Sequence, residues 1–278
     1  MFFDRVLVLG LMASGLCFAD TFVPTYESAG VQLPAQSAVC PVSGTCIIGT
    51  EDFDTLPAQT GGFTTDFGTG GRITGTYSGP YQLYNADEFG GVGGTGRYLE
   101  IFAADNASHP GQGSYTLTLT TAAGVPGVNY FGLWFSALDQ GNLLQFYEGS
   151  TLVYSFTPAD FIALVGGCTG SNPFCGNPTG PFNGQDSGEQ FAYLNFYDTS
   201  GYFNKIVFTE QTGTGGGFES DDHTVAYMNP PTPQGHSFST PEPGSLALLG
   251  AGGIMLLALL ATRRRLVPQI ATHTEPRA

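Results

Sequence analysis

The chain has 278 residues, 41% of them hydrophobic and only 11% charged, with 41 glycines, 18 prolines and 23 acidic against 8 basic side chains. Soluble domains carry about 25% charged residues, so this composition excludes a charge-laced helical bundle and points to a β-rich, loop-rich extracellular protein. Between Asp20 and Thr240 the only basic residues are Arg72, Arg97 and Lys205, whereas every acidic residue except Asp4, Glu242 and Glu275 lies there; with so few cations to release counterions, nucleic-acid binding is not expected.

From the start of the chain, residues 1–19 combine a short n-region carrying Arg5, an apolar run from Val6 to Leu16, and Cys17-Phe18-Ala19 before the polar Asp20. This is the pattern of a secretory signal peptide, too short for a comfortable membrane span. Leu16 before Cys17 argues against a lipoprotein. Residues 20–49 contain proline and serine and no clear strand before Val39, so they are expected to form a lead-in segment. Residues 50–228 are expected to be one antiparallel β-sandwich, jelly-roll-like. Alternating runs at 115–120, 129–135, 143–147, 151–156, 191–197, 205–209 and 224–227 are separated by Gly, Pro, Asn and Asp clusters, and period two with β-branched and aromatic enrichment is the strand signature. Glu148-Gly149-Ser150 reads as a hairpin turn. Thr157-Pro158-Ala159-Asp160 reads as a capping box opening a short helix over 161–165. Residues 229–243, rich in proline, are expected to be a stiff extended linker.

Cys40, Cys46, Cys168 and Cys175 remain after the signal peptide. An even number in an exported protein points to disulfides. Closure entropy favours the local pairs Cys40 with Cys46 and Cys168 with Cys175, whereas crossed pairing would join the N-terminal segment to a distant loop. The spacings miss those of zinc ligands.

At the C-terminal end Pro241-Glu242-Pro243 precedes an apolar segment from Ser245 to Ala261 and the cluster Arg263, Arg264, Arg265. The segment is near the lower length limit for a membrane helix, and the arginines place its C-terminal side, with the tail 266–278, in the cytoplasm. A transmembrane sorting helix with its basic cluster is thus expected over 244–265. This order resembles the PEP-CTERM proteins, whose signal is a Pro-Glu-Pro tripeptide, an apolar helix and a basic cluster. The resemblance implies recognition by an exosortase, processing near the tripeptide, and release or attachment at the surface of a Gram-negative bacterium. The body, through Tyr130–Asp139, Asn142–Tyr147, Phe191–Phe196 and Gly217–Asp222, is similar to exosortase-dependent surface proteins, which supports a sandwich fold and this location and implies no activity.

Chemistry is sparse. Glu51, Asp52 and Asp54 near the start of the body and Glu219, Asp221 and Asp222 near its end would meet if first and last strands pair. Asp52, Asp54, Asp221 and Asp222 are therefore candidate oxygen ligands for a structural calcium ion, against the alternative of a solvated acidic edge. Tyr77, Tyr81 and Tyr84 lie near Asp87 and Glu88; exposed, they would stack on sugar rings while the carboxylates accept hydroxyl hydrogen bonds. Asp139 and Glu148 are a candidate glycosidase pair of undetermined separation. Asp186-Ser187-Gly188 lacks a matching histidine context, and the loop Gly90–Gly96 lacks a P-loop lysine. The expectation is a noncatalytic, exosortase-processed surface or matrix protein with exosortase as partner, extracellular polysaccharide as a further partner, and a membrane contact through the C-terminal helix before processing. The rival readings are a carbohydrate-binding module with structural calcium and a sandwich-fold glycosidase.

Overall fold

The computed structural model describes residues 21–40, 44–58, 62–110, 112–213 and 216–238. The expected signal peptide, the Pro-Glu-Pro tripeptide, the apolar segment and the arginine cluster lie outside the described residues. Among the described residues no helix is long and apolar enough to cross a membrane.

The strands are β1 (Phe22–Tyr26), β2 (Thr45–Glu51), β3 (Phe63–Thr65), β4 (Ile73–Ser78), β5 (Gln82–Asn85), β6 (Arg97–Phe102), β7 (Ser114–Thr121), β8 (Tyr130–Leu138), β9 (Asn142–Glu148), β10 (Thr151–Phe156), β11 (Gln190–Asp198), β12 (Lys205–Glu210), β13 (Gly217–Asn229) and β14 (His236–Ser237), with short helices α1 (Gln36–Val39) and α2 (Ala159–Val165). An eight-stranded sheet runs β14-β1-β11-β8-β13-β6-β5, with β2 also on β13, and a six-stranded sheet runs β10-β9-β12-β7-β4-β3. The strand pairings are antiparallel, as in β11 with β8 and β12 with β7. The two sheets face each other across a core to which β7, β9 and β12 contribute Leu117, Phe146 and Phe208, and β8, β11 and β13 contribute Phe131, Phe196 and Val225. Aromatic stacking locks this layer, Tyr115 on Phe208 at 4.3 Å and Phe135 on Phe218 at 4.4 Å between ring centroids.

β13 is the organising strand. One edge pairs with β8, and the other is divided between β6, which pairs with Gly217–Ser220, and β2, which pairs with His223–Asn229. Its register against β8 shifts between Asp221 and Thr224, and Asp222 takes a positive φ of 48°. The extra residue inverts the alternation. Phe218 and Ser220 face the core before the bulge and His223, Val225 and Tyr227 after it, a change of face that a regular strand of period two cannot make.

His223 is fully buried at the centre of this arrangement. Its Nδ1 is 2.9 Å from the Tyr77 hydroxyl and its Nε2 3.0 Å from Ser220 Oγ, and its ring lies parallel to Phe208 at 5.2 Å. Burial lowers its pKa to about 3, so the ring is neutral and acts as a polar tie between the sheets.

Three expectations change. The segment 20–49 is not merely a lead-in: β1 is a full member of the larger sheet, paired to β11 from Phe22↔Asp198 to Tyr26↔Leu194, and β2 begins at Thr45. Pro24 interrupts the sequence signal but is accommodated within β1. The proline-rich segment does not leave the domain at residue 229, because β14 returns to pair with β1 and Phe238 packs edge-on against Tyr26 and Phe156. Finally, α2 forms where a helix is expected, but no side chain caps its N-terminus.

The cysteines form the local pairs, Cys40 with Cys46 at a Cα separation of 5.8 Å and Cys168 with Cys175 at 5.5 Å, within the normal disulfide range. The first bridges the end of α1 to β2. The second closes the loop leaving α2, which runs on to β11.

Candidate functional site

A cleft of about 470 Å³ opens on the outer face of the eight-stranded sheet. It is built from alternation. In β6 Leu99 and Ile101 enter the core, so Tyr98, Glu100 and Phe102 point outward; in β13 Phe218 and Ser220 enter the core, so Glu219 points outward. The register then sets Glu219 directly opposite Glu100, a like-charge cross-strand pair that destabilises a sheet unless a proton or a cation intervenes. Asp139, just past the end of β8, and Glu189, just before β11, complete the acidic wall, with Asp87, Tyr84, Phe89 and His109 around the rim.

The electrostatics follow from crowding. Burial raises the Glu100 pKa to about 7, and Glu100 and Glu219 hydrogen-bond each other. Glu219 is raised well above the carboxylate range by burial and then by Glu100. Burial, with Asp186 beside it, lifts Asp139 to about 6, while the Gly217 N–H donates to its carboxylate. Burial, then Asp139 and Asp186, lift Glu189 to about 8, and Glu189 and Asp186 are also hydrogen-bonded. The Tyr98 hydroxyl donates to Asp87 Oδ1 at 3.1 Å and lies 3.4 Å from Glu100 Oε2. His109 stacks on Phe102 at 3.8 Å. The floor is open because residues 216 and 217 are glycine: a Cβ at Gly216 would lie 1.4 Å from Asp139 Oδ2 and one at Gly217 2.2 Å from Glu219 Oε1.

Of the sequence-derived sugar platform, only Tyr84 reaches the cleft. Tyr77 and Tyr81 are each 0% exposed, which corrects the expectation of a stacking face: Tyr77 lies parallel to Phe63 at 4.5 Å, and Tyr81 meets Tyr115 edge-on, both inside the core. Tyr84 is half-buried and its hydroxyl bonds Gln82 Oε1.

The candidate calcium ligands are brought together by β2 and β13, since Glu51 pairs with His223. Their carboxylates, however, serve as local acceptors. Asp52 Oδ1 accepts from the Asp54 N–H at 3.2 Å and Asp54 Oδ1 from the Arg97 N–H at 2.9 Å. Asp221 accepts from the Val92 N–H at 2.9 Å and the Asp222 N–H at 2.7 Å. Among the described residues no three His, Cys, Asp or Glu side chains form a group able to hold a metal ion. The side chains of Asp52, Asp54 and Asp221 are thus engaged with backbone N–H groups, and the charges of Asp52 and Asp54 act on Asp222. Asp139 and Glu148 are likewise not brought together: Asp139 lines the cleft, whereas Glu148 lines a separate hollow with Tyr202 and Asn204.

Glu100 and Glu189 are not among the sequence-derived candidates. Outward Tyr98, Glu100 and Phe102 alternating with inward Leu99 and Ile101 is the local signal for the former; no local signal marks the latter, which only the return of the disulfide-closed loop brings to the wall.

Fold and cleft together define a disulfide-stapled, all-β sandwich with an acidic, aromatic-rimmed hollow. Residues 239–265, which follow its last described residue, match the family described as PEP-CTERM protein-sorting motif. The chain thus carries the sorting motif of exosortase-sorted proteins, which implies export to the cell surface or the extracellular space. No curated protein and no solved structure matches it.

Proposed function

We propose that the protein is a noncatalytic component of the surface or extracellular matrix of a Gram-negative bacterium, held transiently in the membrane by the segment 245–261 and processed by an exosortase near Pro241-Glu242-Pro243. The observation that carries this reading is the sorting motif at 239–265 following a disulfide-stapled sandwich. Support for the absence of catalysis comes from the pairing of the acids. Glu100 with Glu219 and Asp186 with Glu189 are in direct hydrogen-bond contact, which takes these two pairs out of the spacing of glycoside hydrolysis, about 5–5.5 Å for retention or about 6.5–9.5 Å for inversion. A carbohydrate-binding module, with extracellular polysaccharide as ligand, is the second reading, favoured by Tyr84 and the exposed Phe89 beside carboxyl groups. The test of the first is intact mass spectrometry of surface-extracted protein from cells with and without the exosortase. The expected product lacks Ser245–Arg265 only when the enzyme is present, and a surface form that retains this segment in both strains overturns the reading.

A further inference from the structure

The cleft gathers carboxyl groups and leaves one of their oxygens without a partner in the protein. Glu219 is 5% exposed, lines the cleft, and its Oε2 has no hydrogen-bond partner. A buried, unpartnered carboxyl oxygen is costly to retain. Among the described residues no lysine or arginine lines the cleft. Arg97 donates to the Leu56 carbonyl and the Lys205 ammonium sits 4.0 Å above the Tyr147 ring, so neither serves as counter-ion. We propose that the cleft binds an organic cation, a primary ammonium group on a short aliphatic stem, with Glu219, Glu100 and Asp139 receiving the ammonium and Tyr84, Tyr98 and Phe102 walling the stem.

The chemistry of the walls selects this ligand over its rivals. An ammonium group has three donors and no acceptor, which matches a cavity of acceptors, and aromatic faces attract cations. The volume lies within the range of small-molecule sites, about 300–1,000 Å³. A divalent metal needs converging ligands at fixed distances, and no such group exists among the described residues. A neutral sugar brings no charge to the crowded carboxyl groups and leaves Glu219 Oε2 to a hydroxyl alone. The inference goes beyond the sorting reading, which the mass-spectrometric test addresses separately.

Calorimetry on the full chain in neutral detergent at low salt, with n-butylammonium as the probe, tests the site. Binding is expected at pH 8 and should weaken at least tenfold at pH 5, because the groups facing Glu219, namely Glu100, Asp139 and Glu189, then hold their protons and no longer accept from the ammonium. Asp87 acts on Glu100, the Tyr98 hydroxyl lies 3.4 Å from it, and His109 stacks on Phe102. Glu219→Gln should weaken binding at least tenfold, and so should Glu189→Gln, a half-buried wall position that guards against a folding defect in the first variant. Asp52→Asn, an exposed acid elsewhere, should leave affinity within twofold. Equal binding of butylammonium and of Nα-acetyl-lysine-N-methylamide identifies a polymer-borne side chain as the source of the cation; binding of butylammonium alone identifies a free amine. The proposal is overturned if butylammonium does not bind at pH 8, if 1-butanol binds equally well, if neither Gln variant weakens binding, or if a neutral glucan oligosaccharide binds in its place.

Discussion

Replacing Asp222 by asparagine removes a carboxyl that the fold holds in an unfavourable place. Asp222 sits in the β13 bulge, is 4% exposed and adopts a φ of 48°, a conformation that asparagine tolerates as well as aspartate. Burial, and then the charges of Asp52 and Asp54, raise its pKa to about 7, against about 4 in an unfolded chain. With the folded value above the unfolded one, its contribution to stability is intact below about pH 4 and is lost as pH rises through about 7. Each pH unit in that window is worth about 1.4 kcal/mol, so the loss at pH 8 is at most about 4 kcal/mol. Solvent relaxation around the nearby exposed acids sets a lower figure of about 2 kcal/mol. Asp222→Asn should therefore match the wild type at pH 4 and exceed it by about 2–4 kcal/mol at pH 8, a rise in Tm of about 4–16 °C for a domain of this size. Urea unfolding at pH 4, 6 and 8 with disulfides intact measures the difference. Parallel pH profiles for the two proteins would refute the reasoning, as would a less stable variant at pH 8. A Tm that calcium raises in the wild type alone would also refute it, because a bound cation would keep Asp222 ionised.

The buried His223 acts on the acid side. Its folded pKa of about 3 lies below the unfolded value of about 6.5, so its contribution is present above about pH 6.5 and lost as pH falls toward 3. Urea midpoints between pH 3 and 7 should fall less steeply in His223→Phe than in the wild type, from a lower baseline because the Tyr77 hydroxyl loses its partner. Removing the Cys168–Cys175 bridge by double serine substitution should destabilise by about 2–3 kcal/mol, the chain-entropy value for so short a loop. Limited proteolysis should then cut first between 166 and 189, and a cut elsewhere would place the weak point outside the cleft wall.

The strands from β7 to β13 were legible because they are aromatic and β-branched runs bounded by turn residues, alternating in β7 and β12 and almost continuously apolar in β8. β1 was not, because Pro24 and Thr25 break the pattern and its place depends on pairing with β11, far along the chain. Tyr77 illustrates a different difficulty. Ile73, Gly75 and Tyr77 share one face of β4 while Thr74, Thr76 and Ser78 share the other, so the threonines already marked Tyr77 as inward. Its nearness in sequence to Asp87 suggested a surface role that the strand's period contradicts. The cleft was least legible. Its acids come from β6, β13 and the ends of β8 and β11, and the opposition of Glu100 and Glu219 is a property of register. Neither the pairing nor the bulge that sets it has a short-range signature, although Asp-Asp inside an otherwise strand-like run marks the site of the irregularity.

The return of β14 to β1 also fixes how the domain bears load. Tension applied from the C-terminal end meets first a two-residue strand, with Thr25↔Ser237 and Tyr26↔His236 in register, at the edge of the sheet. Edge pairs of this kind open one after another, as a zipper does, at low force. The next segment to be loaded is β13, bonded to neighbours on both edges, where many bonds must fail together. Opening β14 also withdraws Phe238 from Tyr26 and Phe156, so this corner of the core yields before the strands that frame the cleft do.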